Sequence, residues 1–183
     1  MADEQLNECS DDELAARVRR GDERAFEVLY FRHREFVYRV ARRFAGEDET
    51  ALDAAQQTFA YLFRKLPRLR LTSKLSTYLY PIAKNFAISE RRRSRRDVDR
   101  EFPLGSDAPA DGGAGGGDGE VARAVASLPD AQREVLVMRI VDDMSVEEVA
   151  AATGVPAGTV KSRLFHALAA LRDRPELGRY WEE

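Results

Sequence analysis

Residues Met144 to Arg172, MSVEEVAAATGVPAGTVKSRLFHALAALR, read as two short helices joined by a tight turn. Ser145 and Glu148 have the spacing of a capping box, in which each side chain satisfies an orphan backbone N–H at the start of a helix. Val146, Val149 and Ala150 then recur three and four apart as an apolar stripe. Gly154 accepts the left-handed conformation that helix ends often need, and Pro156 cannot extend the first helix but suits the start of a second. In that second helix Val160, Leu164, Leu168 and Leu171 form the inward stripe, which leaves Thr159, Lys161, Ser162, Arg163 and His166 on the other sides. A helix of this width fits the DNA major groove, where Arg and Lys donate to guanine edges and hydroxyls fix phosphates. A plain solvated hairpin shares the periodicity. The capping box, glycine turn, proline start and basic outer face together favour a DNA-reading helix-turn-helix.

The rest of the chain is helical by the same criteria. Ser10 and Glu13 form another capping box, and Leu14 and Val18 give a short helix that stops near Gly21. Asp22 caps a longer one whose apolar face is Phe26, Leu29, Tyr30, Phe36, Val37, Val40 and Phe44. On a third helix Leu52, Ala55, Phe59, Leu62 and Leu66 are expected to face inward. A fourth, after the loop RLRLTSK, carries Leu75, Leu79, Ile82 and Phe86. From Asp97 the sequence turns acidic and Gly-rich, without apolar periodicity, and reads as a linker. Helical pattern returns with Val121, Val125 and Leu128, then Val135, Leu136, Met138 and Ile140. The fold class is therefore all-α, two small helical domains joined by a flexible linker. Residues 1–9 are expected to be a disordered N-terminus, 10–97 the first domain, 98–119 the linker, 120–174 the second domain and 175–183 a tail, in which Tyr180 and Trp181 are expected to pack on the second domain.

Composition narrows the function. The net charge of −3 argues against a protein that coats DNA by itself, since non-specific affinity grows with the number of phosphates neutralised. Cys9 is the single cysteine, which excludes an intramolecular disulfide and a multi-cysteine zinc site. There is no phosphate-binding glycine motif, no metal-spaced set and no nucleophile beside a base, so neither catalysis nor a cofactor or metal is implied. The N-terminus MADEQLNECSDDEL is unlike a signal peptide and no apolar run reaches membrane-spanning length. A cytoplasmic protein without membrane insertion is expected.

Asp53, Gln56 and Gln57 share one polar face of the third helix, a pattern that a solvated surface also produces. The string DAAQQTFAYLFRKL, however, resembles the polymerase-binding helix of bacterial sigma factors, whose pattern is close to D-L-V-Q-E-T-F, with Gln57 in place of the usual glutamate. STYLYPIAKNFAISERRRSRR resembles their promoter-melting and -10-element helix, and LPDAQREVLVMRIVDDMSVEEVAAATGVPAGTVKSRL their -35-element domain. In this order, with a linker between, the segments resemble extracytoplasmic-function (ECF) sigma factors of the sigma-70 family. The domains are then region 2-like and region 4-like.

What the resemblance implies agrees with the side chains. Asn85, Ser89, Arg92 and Arg96 fall on one face of the fourth helix, where an amide, a hydroxyl and two guanidiniums can follow a nucleic-acid strand, and Arg91, Arg93 and Arg95 widen that face. With Arg70, Lys74, Tyr78 and Lys84 they form the candidate -10 site, and Tyr78 and Tyr80 offer aromatic faces to an unstacked base. Thr159, Lys161, Ser162, Arg163 and His166 form the -35 site, and Asp53, Gln56 and Gln57 the polymerase site. The implied partners are core RNA polymerase, duplex -35 DNA, opened -10 DNA and an anti-sigma factor. Asp107, Asp111 and Asp118 of the linker suit basic channels in polymerase, though solubility accounts for them equally.

Two departures from the family pattern carry expectations. Pro81 stands where a basic residue is usual and predicts a kink in the fourth helix. Phe165, His166, Leu168 and Ala169 replace common basic positions, which predicts a weak reader of DNA. Two rival functions are a free-standing helix-turn-helix regulator, which leaves the first domain without a role, and an interaction module that titrates polymerase or a regulator.

Overall fold

The computed structural model describes residues 6–101 and 118–180. The chain divides into two compact units, residues 1–107 and 108–183. Among the described residues all regular structure is helical. The first unit contains α1 (Asp11–Val18), α2 (Glu23–Ala45), α3 (Asp48–Lys65), a 3-10 turn (Leu66–Arg68) and α4 (Leu75–Glu101). The second contains α5 (Asp118–Ala126), α6 (Asp130–Ile140), α7 (Val146–Thr153), α8 (Ala157–Arg172) and a 3-10 turn (Pro175–Tyr180).

Each helix start in the first unit follows from its cap. Ser10 Oγ accepts from the Glu13 N–H at 3.3 Å while the Ser10 N–H donates to Glu13 Oε2 at 2.8 Å, and Asp22 Oδ1 accepts from the Ala25 N–H at 3.3 Å. α2 ends at Gly46, whose φ of 91° an L side chain rarely adopts. Arg42 fastens that corner, donating from Nη1 to the Gly46 carbonyl and from Nε to Asp48 Oδ1, both at 2.5 Å, and Tyr38 donates to the same carboxylate oxygen at 3.0 Å. Those hydrogen bonds from Tyr38 and Arg42 hold the Asp48 carboxyl below its ordinary range.

α2, α3 and α4 pack against one another in all three pairs, and α1 lies on α2. Leu14, Leu29, Val37, Val40, Leu62, Leu66, Leu75, Leu79 and Tyr80 are fully buried between them. Behind them, Ala41, Ala45, Ala51, Ala54 and Ala87 form a junction of small side chains, flanked by Tyr38, Phe44 and Phe86. This seam corrects the reading of α3. Its buried side is Thr50, Ala51, Ala54, Thr58, Phe59 and Leu62, and Leu52, expected inside, is 52% exposed. Thr58 tolerates burial because its hydroxyl donates to the Ala54 carbonyl at 2.7 Å.

Residues 6–9 also depart from expectation. Residues 6–8 are helical, Leu6 is buried, and Arg32 Nη2 donates to the Asn7 carbonyl at 2.9 Å. Pro81 lies within α4, which continues through it as one helix, so the kink expected there produces no interruption. The helix extends to Glu101 and α5 begins at Asp118, so the ends of the expected 98–119 linker are helical. Asp107 and Asp111 lie outside the described residues.

In the second unit the capping box at Ser145 is present, with Glu148 N–H to Ser145 Oγ at 3.1 Å and Ser145 N–H to Glu148 Oε2 at 2.7 Å. Gly154 is left-handed at φ 71° and ψ 21°, and Pro156 occupies the N-cap of α8. The core joins Ala124, Leu128, Leu136, Ala167, Leu171 and Leu177, with Val121, Val125 and Leu164 partly buried against it. The inward stripe of α8 is thus Val160, Ala167 and Leu171, whereas Leu168, expected inside, is 43% exposed. Leu177 belongs to the segment read as a tail, and here it completes the core; Trp181 lies outside the described residues.

Candidate nucleic-acid and polymerase interfaces

α4 is anchored by Leu75, Leu79, Tyr80, Ala83 and Ala87, all buried, and this fixes which side faces out. Asn85, Ser89, Arg92 and Arg96 are all exposed along that outer side, with Arg91, Arg93 and Arg95 exposed around them. Lys84 turns away from the row, its Nζ 5.0 Å from the centroid of the Phe44 ring. Tyr80 is buried and unavailable for stacking, which leaves Tyr78, half-buried at the start of the helix. Burial, the neighbouring Tyr61 hydroxyl and the hydrogen bond between the two raise the Tyr78 pKa, so its phenol stays neutral. Arg70 and Lys74 are exposed in the loop before α4. Arg19 Nη1 donates to the Leu69 carbonyl at 3.0 Å and ties one end of that loop to the region after α1.

On α3, Asp53 and Gln56 are exposed. Gln57 is not free in the same way: its Nε2 donates to Glu90 Oε1 at 2.8 Å and links α3 to α4. Sequence reading missed what lies beside them. Tyr30, Phe31, Leu52 and Phe63 are large apolar side chains left exposed on α2 and α3. Three of them take part in ring contacts: Phe63 meets Phe26 edge-on at 4.9 Å, and Tyr30 meets Phe59 at 4.7 Å and Phe31 at 5.4 Å. Phe31 and Phe63 were legible, since an apolar residue off the inward stripe of an amphipathic helix is exposed, whereas Tyr30 and Leu52, read as inward, are 38% and 52% exposed.

On α8, Lys161, Ser162 and His166 are exposed and Thr159 and Arg163 half-buried. Phe165 is 68% exposed and meets the His166 ring edge-on at 5.5 Å. The outer face thus carries Lys161 and Ser162 in its first half, while in its second half exposed Phe165 and Leu168 stand beside His166 and Arg172.

Two compact helical units with these faces match known proteins. The model of sigma-70 region 2 matches residues 29–97, and that of sigma-70 region 4 matches residues 118–171. The RNA polymerase sigma-H factor of Pseudomonas aeruginosa is 32% identical over 181 residues, covering 91% of this chain and 94% of that one. The ECF RNA polymerase sigma factor SigW of Bacillus subtilis is 28% identical over 170 residues, covering 85% and 91%. Among solved structures, the sigma factor RpoE of Bartonella quintana, in complex with the anti-sigma factor NepR, is similar with a TM-score of 0.61 and 24% identity, covering 81% of this chain and 98% of that one. The fold is that of a transcription initiation subunit. The chain belongs to the sigma-70 family of RNA polymerase sigma factors, in its ECF group. Among the described residues no helix is long and apolar enough to cross a membrane.

Proposed function

We propose that the chain divides promoter recognition between its units, with the chemistry left to core RNA polymerase. The first unit docks on polymerase through Asp53 and Gln56, with Leu52, Phe63, Phe31 and Tyr30 as the apolar part of the contact. Gln57 supports that face from behind through Glu90. Asn85, Ser89, Arg92 and Arg96 follow the opened -10 strand, Tyr78 receives an unstacked base, and Arg70 and Lys74 hold the loop side of the strand. Lys84 acts through its packing on Phe44. The second unit reads duplex -35 DNA with Thr159, Lys161, Ser162, Arg163 and His166. The observation that carries this reading is the unbroken row of exposed amide, hydroxyl and guanidinium groups on α4, opposite a fully buried inner side. An anti-sigma factor, as in the Bartonella complex, is the natural regulator of faces this exposed.

Run-off transcription with purified core polymerase and a promoter library tests the division. Asp53→Ala should weaken association with core. Arg163→Ala should spare association and cost roughly 1 to 3 kcal/mol in upstream recognition if it reads a base. Equal loss of both activities in either variant contradicts the division, and no initiation by the wild type on any promoter contradicts the whole reading.

A further inference from the structure

From Leu75 to Arg96, α4 contains one carboxylate, Glu90, and the three residues that follow it are Arg91, Arg92 and Arg93. On a helix, a glutamate faces an arginine three residues further on and can pair with it. Pairs of this kind form elsewhere in the chain, between Asp130 and Arg133 at the same spacing and between Arg139 and Asp143 at a spacing of four. Glu90 and Arg93 do not pair. Glu90 is half-buried and accepts a hydrogen bond at Oε1 from Gln57 Nε2 at 2.8 Å, and it has no other hydrogen-bond or ion-pair partner among the described residues. A carboxylate only accepts, so the Gln57 amide must present its nitrogen, and the bond holds the charge against α3. Arg91, Arg92 and Arg93 stay exposed, without an ion pair to another described residue. A neutral amide 33 residues away, rather than one of three adjacent guanidiniums, thus satisfies the single carboxylate of this stretch.

We propose that Gln57 is a positioning residue for promoter binding: its amide holds Glu90 against α3 and so withholds that carboxylate from the arginines that bind phosphate. The proposal rests on α4 being the strand-binding helix. Released from Gln57, Glu90 reaches Arg93 one turn along α4, and each guanidinium neutralised within the chain is one fewer for the DNA backbone. The residue type at 57 matters for the same reason. A glutamate there, usual in the family pattern, repels Glu90 and frees it toward the arginines, whereas an amide at one position and a carboxylate at the other satisfy each other in either order.

The test uses the full chain assembled with core polymerase and a fluorescent oligonucleotide of the non-template -10 strand, with binding read by anisotropy over a salt series. Gln57→Ala, which changes no charge, should bind roughly fivefold more weakly at about 0.1 M salt, with the slope of log affinity against log salt shallower by about 0.7, the share of one single-strand phosphate left without its cation. Glu90→Gln should bind at least as tightly as the wild type, and Gln57→Ala added to it should change nothing further. The exchanged pair, Gln57→Glu with Glu90→Gln, keeps the wild-type charge and should restore wild-type affinity and slope. Wild-type affinity and slope in Gln57→Ala, together with weakened binding by Arg92→Ala, would overturn the positioning role and leave the reading of α4 intact. Unchanged binding by both variants would overturn the two together. Equal weakening by Gln57→Ala with and without the Glu90 carboxylate would show that Gln57 does not act through Glu90, and the proposal would fall. Loss of core association by Gln57→Ala in the absence of DNA, with wild-type strand binding once the complex has formed, would make Gln57 a polymerase contact alone and equally overturn it. Circular dichroism of each variant excludes misfolding as the cause.

Discussion

α4 and α8 both turn polar side chains outward, yet they are built differently. α4 has 27 residues, an inner side fully buried from Leu75 to Ala87, and an outer row of amide, hydroxyl and guanidinium groups ending in a cluster of arginines. α8 has 16 residues, three of them buried, and its outer face changes from Lys161 and Ser162 to exposed Phe165 and Leu168 within two turns. On the proposed division of labour, charge-driven affinity sits in the first unit, and the second contributes a short reading head that meets few phosphates. Such a head works when something else holds it near its site, because tethering replaces affinity with effective concentration. The comparison explains how a chain of net charge −3 serves promoter recognition.

The strongest blow to the comparison falls on the anchoring of α4. Leu79→Ala removes a fully buried side chain and should destabilise the first unit by about 2 to 5 kcal/mol. Hydrogen exchange resolved by segment should show α2, α3 and α4 opening more readily, with α7 and α8 unchanged; equal loosening of both units would mean that they do not fold separately. Next in size is restoration of charge to α8. Phe165→Arg with Leu168→Arg should let the chain bind duplex DNA without polymerase, steepening the salt slope by about 1.8, at about 0.9 for each further phosphate neutralised. An unchanged slope would show that this face does not lie along a backbone. Ser145→Ala removes one capping box and should cost about 1 kcal/mol in thermal unfolding of the second unit alone.

The smallest effect is electrostatic. Burial alone would raise the Asp11 pKa, but hydrogen bonds and charge from His33 and Arg32, both at 2.7 Å, hold it below its ordinary value of 3.8. A depressed carboxylate stabilises the fold above its unfolded pKa and ceases to as pH falls through the lower folded value. Acid titration of the first unit should therefore show a loss of stability below about pH 4 that Asp11→Asn abolishes. Asp11 is half-exposed, so solvent screening keeps this contribution modest.

Caps and turns were fully legible in the sequence, because a cap depends on a side chain and an N–H only three residues away. The boxes at Ser10 and Ser145, the cap at Asp22 and the turn at Gly154 all stand where local chemistry puts them. Stripes were less legible. On α3 the reading chose large Leu52 over Ala51 and Ala54, since hydrophobic mass normally marks the core; the seam is instead made of small residues because three helices meet there. On α8 the same preference for mass chose Leu168 over Ala167. The candidate site shows the same division. The row on α4 followed from spacing alone, whereas the pairing of Gln57 with Glu90 joins residues 33 apart and depends on how α3 meets α4.

The alanine junction bears on what happens after capture. An opened strand pulls back toward its complement with the stacking energy of the duplex, about 1.4 kcal/mol for each base-pair step. Side chains no larger than a methyl group let α2, α3 and α4 approach closely and leave few rotamers through which α4 can yield. On the proposed role of α4, stiffness of the mount, as much as the number of arginines on it, would set how long a transcription bubble stays open.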